Sequence, residues 1–348
     1  MTPLYEIIAR QIAQTGPMTL RDYMTLCLSH PEHGYYATRD PLGATGDFTT
    51  APEVSQMFGE LLGLALAQAW MDQGAPSPFL LVELGPGRGT LMADILRAGR
   101  AAPGFAEAAE VWLVETSPAL RAEQAKRVPG ARWAERLSDI PARPLFLVAN
   151  EFFDALPISQ FVMSGGQWRE RVVGLEGERL TYGLRPAQQR LDPAPEGAIR
   201  EVCPLLANIG VEIAARIALR GGAAIIVDYG YPAPTEMGAD TFQAMKAHAY
   251  VDPLAEPGEA DLTAHVDFSA LERAARMGGA APAGPVDQGA LLARLGIGAR
   301  AEALAGKGDA EAVAAALRRL TDPAEMGTLF KALAMHAPEA PPPPGFET

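Results

Sequence analysis

Apolar residues recur along this chain with two different periods, and the change between them marks its organisation. Leu4, Ile7, Ile8 and Ile12 fall at helical spacing and Gly16-Pro17 closes the pattern, which predicts a short N-terminal helix. A second helix is expected from Thr19 to about Leu28, after which Pro31-Glu32-His33-Gly34-Tyr35-Tyr36 and Gly43 to Gly46 read as loop. Pro52 and Glu53 stand where a helix starts, and Val54, Met57, Phe58, Leu61, Leu62 and Leu64 give it a broad apolar face.

From Phe79 onward short apolar runs alternate with helical patterns, as in a parallel sheet covered by helices on its faces. Strands are expected at Phe79 to Leu84, Val111 to Glu115, Pro144 to Ala149 and Ala223 to Val227. Helices are expected at Thr90 to Arg97, Pro118 to Arg127 and Leu205 to Leu219. Between the last two strands, Gln160 to Leu184 alternates polar and apolar residues with Gly165, Gly166, Gly174 and Gly177 as turn signals, predicting inserted β-hairpins. Pro232 to Asp267 has little periodicity and much Pro, Gly and Asp, so it reads as a long loop. Helix resumes from Phe268 to Met277 and again in the Ala-rich Ala299 to Leu320, and Gly327 to Ala334 returns as a final strand. The run Pro341 to Pro344 predicts a tail that extends away as polyproline rather than packing.

The chain thus divides into a helical N-terminal region with a covering loop (1–75), an α/β core (76–158 and 201–337), inserted hairpins (159–200) and a Pro-rich tail (338–348). Composition narrows the function. Apolar residues make up 48% and charged residues 20% of the 348, which is globular rather than disordered. Lys and Arg total 29 against 42 Asp and Glu, a net charge of −13, which argues against nucleic acid as the main partner. Cys27 and Cys203 are too few and too far apart for a disulfide framework or a thiolate metal site, and a reducing compartment is expected. Neither a run of about 20 apolar residues nor a signal-like N-terminus is present, so no membrane insertion is expected.

The candidate chemistry lies after the first strand. Glu83-Leu84-Gly85-Pro86-Gly87-Arg88-Gly89 leads straight into a helix. Glycines there let the backbone turn tightly and approach a ligand, and amides at a helix start favour polar or anionic groups. The dinucleotide fingerprint would place its third glycine at position 90, where Thr90 stands; the third is Gly89, with Glu83 two residues before the first, and this favours the methyltransferase version over a nicotinamide oxidoreductase. Glu115 ends the second strand, where a carboxylate can accept both hydroxyls of an adenosine ribose; a helix-start acid before Ser117-Pro118 is the alternative. Gly46, Asp47, Phe48 and Thr50 form a polar loop running into a helix, able to close over a cofactor with Phe48 as shield and Asp47, Glu53 or Gln56 as hydrogen-bonding groups; an ordinary helix cap with a core phenylalanine is the alternative. Asn150-Glu151-Phe152-Phe153-Asp154 follows a buried strand, at the sheet edge where open α/β folds place their sites. A guanidinium needs carboxylates to accept its N–H fork, and Glu151 and Asp154, with Asn150 beside them, are the candidates; a loop acid and a turn cap are the alternatives.

Several longer blocks carry a resemblance. His33-Gly34-Tyr35-Tyr36, Gly46 through Glu60, the glycine turn, Val114 through Pro118, Ala149 through Pro157, Val227-Asp228-Tyr229-Gly230 and Ala260 through Phe268 resemble the MidA-like family, bacterial relatives of the mitochondrial complex I assembly methyltransferase. The likeness runs from about Leu4 to about Ala337. It implies an α/β, Rossmann-like class I methyltransferase with a seven-stranded sheet, an N-terminal helical extension and an inserted hairpin and loop region. It also implies S-adenosyl-L-methionine as cofactor and a protein substrate: in the mitochondrial relatives, an arginine of a complex I subunit. The residues themselves offer no metal cluster, so no metal is expected. A cytoplasmic location follows for the bacterial members and the mitochondrial matrix for the others. Where relatives carry a basic stretch after Thr241, this chain has Phe242 to Tyr250 with Lys246 as its lysine. An assembly chaperone that binds the cofactor while holding its client, and a small-molecule methyltransferase, are the competing functions.

Overall fold

The computed structural model describes residues 2–38, 49–235 and 237–347, so the expected cofactor residues Gly46, Asp47 and Phe48 lie outside the described residues. The chain forms two compact units: a smaller one of Met1–Phe48, Asp154–Leu205 and Ala233–His265, and a larger one of Thr49–Phe153, Leu206–Pro232 and Val266–Thr348.

The larger unit is built on a sheet of seven strands: β1 (Phe79–Leu84), β2 (Ala109–Val114), β3 (Arg132–Ala134), β4 (Leu145–Asn150), β5 (Gly222–Tyr231), β6 (Ala281–Asp287) and β7 (Phe330–His336). They run in the order β6-β7-β5-β4-β1-β2-β3, and Val266–Asp267 adds a short parallel pairing at the end of β5. Strands β1 to β5 are mutually parallel, whereas β7 lies antiparallel between β5 and β6. Every residue of β1 and of β4 is buried, because helices cover both faces of the sheet and a two-sided strand must be apolar throughout. Phe79, Leu81, Phe146, Val148, Ile225 and Val227 pack with Phe58, Leu62, Trp70 and Phe105 in the core of this unit.

The helices expected at Thr90 and Pro118 are present as Thr90–Gly99 and Pro118–Arg127, and Leu205 to Leu219 is present as Pro204–Arg220. The helix expected from Pro52 is instead two pieces, Ala51–Val54 and Gln56–Asp72, broken at Ser55. Ser55 is extended, with φ −164°, and its hydroxyl accepts from the Met57 N–H at 3.2 Å, so it caps the second piece rather than continuing the first. Leu64, assigned to the apolar face, is 42% exposed. Two strands escaped the pattern: β3 is only three residues long, and β6 carries Pro282, Gly284 and Pro285, tolerated because it is an edge strand with an irregular register between Ala283 and Val286. The Ala-rich segment is two helices, Ile297–Ala305 and Ala310–Thr321. The C-terminal tail does not extend away: Phe346 is 2% exposed within the core of this unit, and Gly345 lies against Leu291 and Leu295. The aromatic side chain, two residues past the prolines, outweighs their extended preference.

In the smaller unit, helices Pro3–Thr15 and Leu20–Ser29 are capped by Thr2 and Thr19 and bury Leu4, Ile8, Ile12, Tyr23 and Met24. The expected hairpins form a five-stranded antiparallel sheet of Met18–Thr19, Ser159–Ser164, Gln167–Glu176, Arg179–Pro186 and Ile199–Val202. Tyr35–Thr38 is a single helical turn where loop was expected. Pro232 to Asp267, expected to be loop, contains a three-stranded sheet of Gln243–Lys246, Ala249–Val251 and Asp261–Thr263. Its tight turn is made by Ala247 and His248, both with positive φ (51° and 61°), where such turns usually carry Asn-Gly.

Candidate functional site

The sheet register of the larger unit brings three strand ends to one level beside β5. Leu84 pairs with Val114 and Ala149, and Val227 with Asn150, so the chain leaves β1, β2 and β4 side by side, next to Asp228 of β5, which continues to Tyr231. Three further bonds extend the ladder past the strands: Gly85 N–H to Val114 O, Glu115 N–H to Ala134 O and Glu151 N–H to Val227 O, at 3.1, 3.0 and 3.0 Å. Gly85, Glu115, Glu151 and Asp228 are thus fixed in a row.

Gly85, Gly87 and Gly89 all have positive φ (61°, 51° and 80°), a conformation that side chains resist. A Cβ on Gly85 would also lie 2.8 Å from the Phe152 ring, so the turn is packed from the β4 side. Beneath it Glu83 is 3% exposed, and its carboxyl accepts from the Met92 N–H in the first turn of the helix that follows. Burial, with Asp94 nearby, pushes its pKa up to about 8, so this residue holds the helix start against the strand as a protonated acid at neutral pH.

Both oxygens of the Glu115 carboxylate accept hydrogen bonds. Its Oε1 accepts the N–H groups of Thr116 and Ser117, each at 2.8 Å, and its Oε2 accepts from Gln124 Nε2 at 3.3 Å. Burial raises its pKa, opposed by those amides, by Gln124 and by Arg121, whose Nε donates to the Glu115 carbonyl at 2.8 Å. The helix-start interaction and the ligand-facing reading of Glu115 are therefore compatible: one oxygen serves the helix, and the second is oriented by a neighbour. Gln124 was not anticipated. It is fully buried yet polar on a helix that is otherwise mostly exposed, and nothing in the local pattern distinguishes it from a surface glutamine.

The segment from Thr50 to Gln56 is tied to the same end of the sheet. Ala51 N–H donates to Glu151 Oε1 at 3.1 Å, and the Thr90 hydroxyl donates to Glu53 Oε1 at 2.6 Å, with Arg127 bonded to Thr90 and 3.8 Å from Glu53. Gln56 donates to Glu60, which also receives Arg97 and Arg300. Thr50 begins the short turn without a side-chain cap bond.

Glu151 adopts positive φ (50°), and Asn150 Nδ2 donates to its Oε1 at 3.0 Å. Asn150 is 8% exposed, and its Oδ1 has no hydrogen-bond partner among the described residues. Asp228 is fully buried: Oδ2 accepts the Phe153 N–H and Oδ1 its neighbour's, that of Tyr229, at 3.0 and 2.9 Å. That carboxylate pins the turn after β4. Asp154, grouped with Glu151 by sequence, belongs to the smaller unit, where its carbonyl accepts the Ala264 N–H at 3.0 Å. There the Tyr36 hydroxyl donates to Asp261 at 3.1 Å; burial, followed by Asp261 and Asp154, holds the phenol well above its usual pKa. His265 is pushed towards the neutral form by burial. No group of three or more His, Cys, Asp or Glu among the described residues could hold a metal ion, and no helix among them is long and apolar enough to cross a membrane.

These features fit an adenosine-bearing sulfonium cofactor. The turn at Gly85 to Gly89 offers close backbone approach, Glu115 an acceptor for ribose hydroxyls, and Asn150 a buried oxygen lacking a donor. A parallel sheet with antiparallel β7 inserted beside β5, a glycine turn after β1 and an acid after β2 define a class I, S-adenosyl-L-methionine-dependent methyltransferase.

Comparison with known proteins agrees. Residues 61–286 match a family of S-adenosyl-L-methionine-dependent methyltransferases, and the chain belongs to it. It is 38% identical to the mitochondrial protein arginine methyltransferase NDUFAF7 of Homo sapiens, over 96% of this chain and 83% of the relative. It is also 38% identical to the NDUFAF7 homolog of Drosophila melanogaster, over 93% and 83%. A Burkholderia thailandensis protein solved with S-adenosyl-homocysteine superposes with a TM-score of 0.84 at 28% identity, covering 99% of this chain and 92% of that one. The cofactor is S-adenosyl-L-methionine and the activity methyl transfer.

Proposed function

We propose that this enzyme is a protein arginine N-methyltransferase whose substrate is a complex I subunit during assembly, acting in a bacterial cytoplasm. The observation that carries this reading is the 38% identity to human protein arginine methyltransferase NDUFAF7 over nearly the whole chain. The cofactor supplies an electrophilic methyl on sulfur; the protein's part is to position the acceptor nitrogen and balance its charge. In this reading the backbone at Gly85, Gly87 and Gly89, with Glu83 beneath and Glu115 beside them, holds the cofactor. Thr50, Glu53 and Gln56 are assigned to cover it, and Gly46, Asp47 and Phe48, outside the described residues, are retained as cofactor residues on their place in the chain alone. Asn150 and Glu151 stand at the end of β4, and Glu151 is assigned to the guanidinium. Asp154 is retained as a second carboxylate on its place in the chain alone.

Intact-mass analysis of candidate subunits after incubation with isotopically labelled S-adenosyl-L-methionine tests the proposal. Label on arginine is expected with the native enzyme. With Glu151→Gln, transfer should fall by about two to four decades while cofactor affinity stays near native, since breaking a desolvated charged pair costs roughly 3–5 kcal/mol. Unchanged transfer would remove Glu151 from the substrate site. Normal complex I assembly in cells carrying a transfer-dead Glu151→Gln variant would favour client holding over catalysis, and label on a small molecule alone would exclude a protein substrate.

A further inference from the structure

The fully buried residue of helix Pro118–Arg127 is a glutamine, and its hydrogen bonds explain why. Gln124 Nε2 donates to the Gly87 carbonyl at 2.7 Å and to Glu115 Oε2 at 3.3 Å, while its Oε1 accepts the Trp133 indole N–H at 2.7 Å. The orientation is unambiguous: a flipped amide would set its oxygen against two acceptors and its donors against the indole N–H. A Cβ on Gly89 would be 3.5 Å from both Cα and Cγ of Gln124, so its stem lies directly behind the glycine turn.

We infer that Gln124 is a positioning residue for the cofactor, fixing the Gly87 peptide and the Glu115 carboxylate at a set separation so that turn and ribose acceptor present one surface. Each of its amide hydrogens goes to a different arm of the site, and Trp133 on β3 locks the amide plane. Thr116 and Ser117 occupy Glu115 Oε1, so Gln124 orients Oε2 and leaves a lone pair there for a hydroxyl. Asparagine is too short to span these partners, and a carboxylate would oppose both acceptors. Burial and the hydrogen bonds from Ser117, Thr116 and Gln124 act most strongly on the ionisation of Glu115, followed by the charge of Arg121. Losing the Gln124 donor therefore makes Glu115 harder to ionise.

The inference rests on the cofactor assignment, and calorimetric titration with S-adenosyl-homocysteine from pH 5 to 9 separates the two. Native protein that fails to bind would overturn the assignment itself. With native binding established, Gln124→Met is expected to weaken affinity by roughly tenfold, the scale of one hydrogen bond to a charged group. A carboxylate accepts a hydroxyl more strongly than the neutral acid does, so affinity weakens on acidification, and the midpoint of that fall should move to higher pH in the variant, which loses a hydrogen bond that favours the charged form. Gln124→Glu keeps the volume and the acceptor for Trp133, so it tests the same point should the methionine variant fold poorly; its second carboxylate should move the midpoint further up. Affinity within twofold of native in both variants would overturn the inference, as would weakened affinity with an unshifted pH profile, which would mark a purely structural residue.

Discussion

The C-terminal end of the large sheet and the Ala233–His265 region of the smaller unit are both rich in polar residues, yet they are organised on opposite principles. At the sheet end, polar side chains serve backbone groups a few positions from a strand terminus: Glu83 takes Met92 N–H, Glu115 takes Thr116 and Ser117, and Asp228 takes Phe153 and Tyr229. In the smaller unit they serve one another across long stretches of chain: Glu201 accepts from Thr241 and from Gln160, Asp240 from Gln160 and Arg171, Asp261 from Tyr36. The first arrangement shapes the backbone where strands give way to loops and helices. The second holds together short strands that lack a periodic apolar face.

The contrast can be broken first at the glycines. Gly85→Val forces a β-branched residue to φ 61° and drives its Cβ to 2.8 Å from Phe152. Backbone strain of about 1–3 kcal/mol and overpacking of about 1–3 kcal/mol should together remove roughly 2–6 kcal/mol of stability. S-adenosyl-homocysteine binding should disappear in calorimetry, and native-like affinity would show that the turn is not a ligand site.

Asp228→Ala and Glu201→Ala set the two regions against each other. Asp228→Ala strands two N–H groups at about 1–3 kcal/mol each, giving a loss of roughly 2–6 kcal/mol in urea unfolding, and it should weaken cofactor affinity because the turn after β4 loosens. Glu201→Ala should cost about 1–3 kcal/mol and leave that affinity within about twofold. Equal effects on affinity would erase the distinction between shaping and bracing.

Glu83 gives the pH test. A carboxyl with a folded pKa of about 8 against 4.5 when unfolded keeps a proton that the unfolded chain has released. Its contribution to stability is therefore full below pH 4.5, falls as pH rises through that window and levels off above pH 8. Glu83→Gln mimics the protonated form, so its stability relative to native should climb by up to about 1.4 kcal/mol per pH unit across the window. A difference independent of pH would mean that Glu83 is ionised in the fold. The smallest effects are expected where side chains meet little: Gly174→Ala, whose Cβ would contact only Pro17 at 3.6 Å, and Leu64→Gln on an exposed face, each within about 0.5 kcal/mol.

The same contrast explains what the sequence disclosed. Strands β1, β4 and β5, the helices after β1 and β2, and the glycine turn with Glu115 were legible because each is encoded in a contiguous run whose burial or turn geometry leaves a local pattern. The family blocks supplied the methyltransferase class. β6 was hidden by prolines that only an edge strand tolerates, and the hairpin at Ala247-His248 by a turn lacking its usual residues. Phe346 was hidden because one aromatic ring past a proline run reverses what the prolines imply. Gln124 was invisible for a different reason: its importance lies in three partners, at Gly87, Glu115 and Trp133, that only the fold brings together. Glu151 and Asp154, neighbours in sequence, belong to different units, and the carboxylate of the first is bonded to Ala51.

The most direct test of the account is calorimetric titration of S-adenosyl-homocysteine into native protein and Glu115→Gln at pH 8, with NAD as control. The amide can still accept from Thr116 and Ser117, so the fold should persist, but it loses the charged acceptor at Oε2. Saturable binding by native protein, weakened roughly 10- to 150-fold in the variant as befits the loss of about 1.5–3 kcal/mol, and no binding of NAD are predicted. Equal affinity in the two proteins, or preference for NAD, would contradict a cofactor site built on the glycine turn and Glu115.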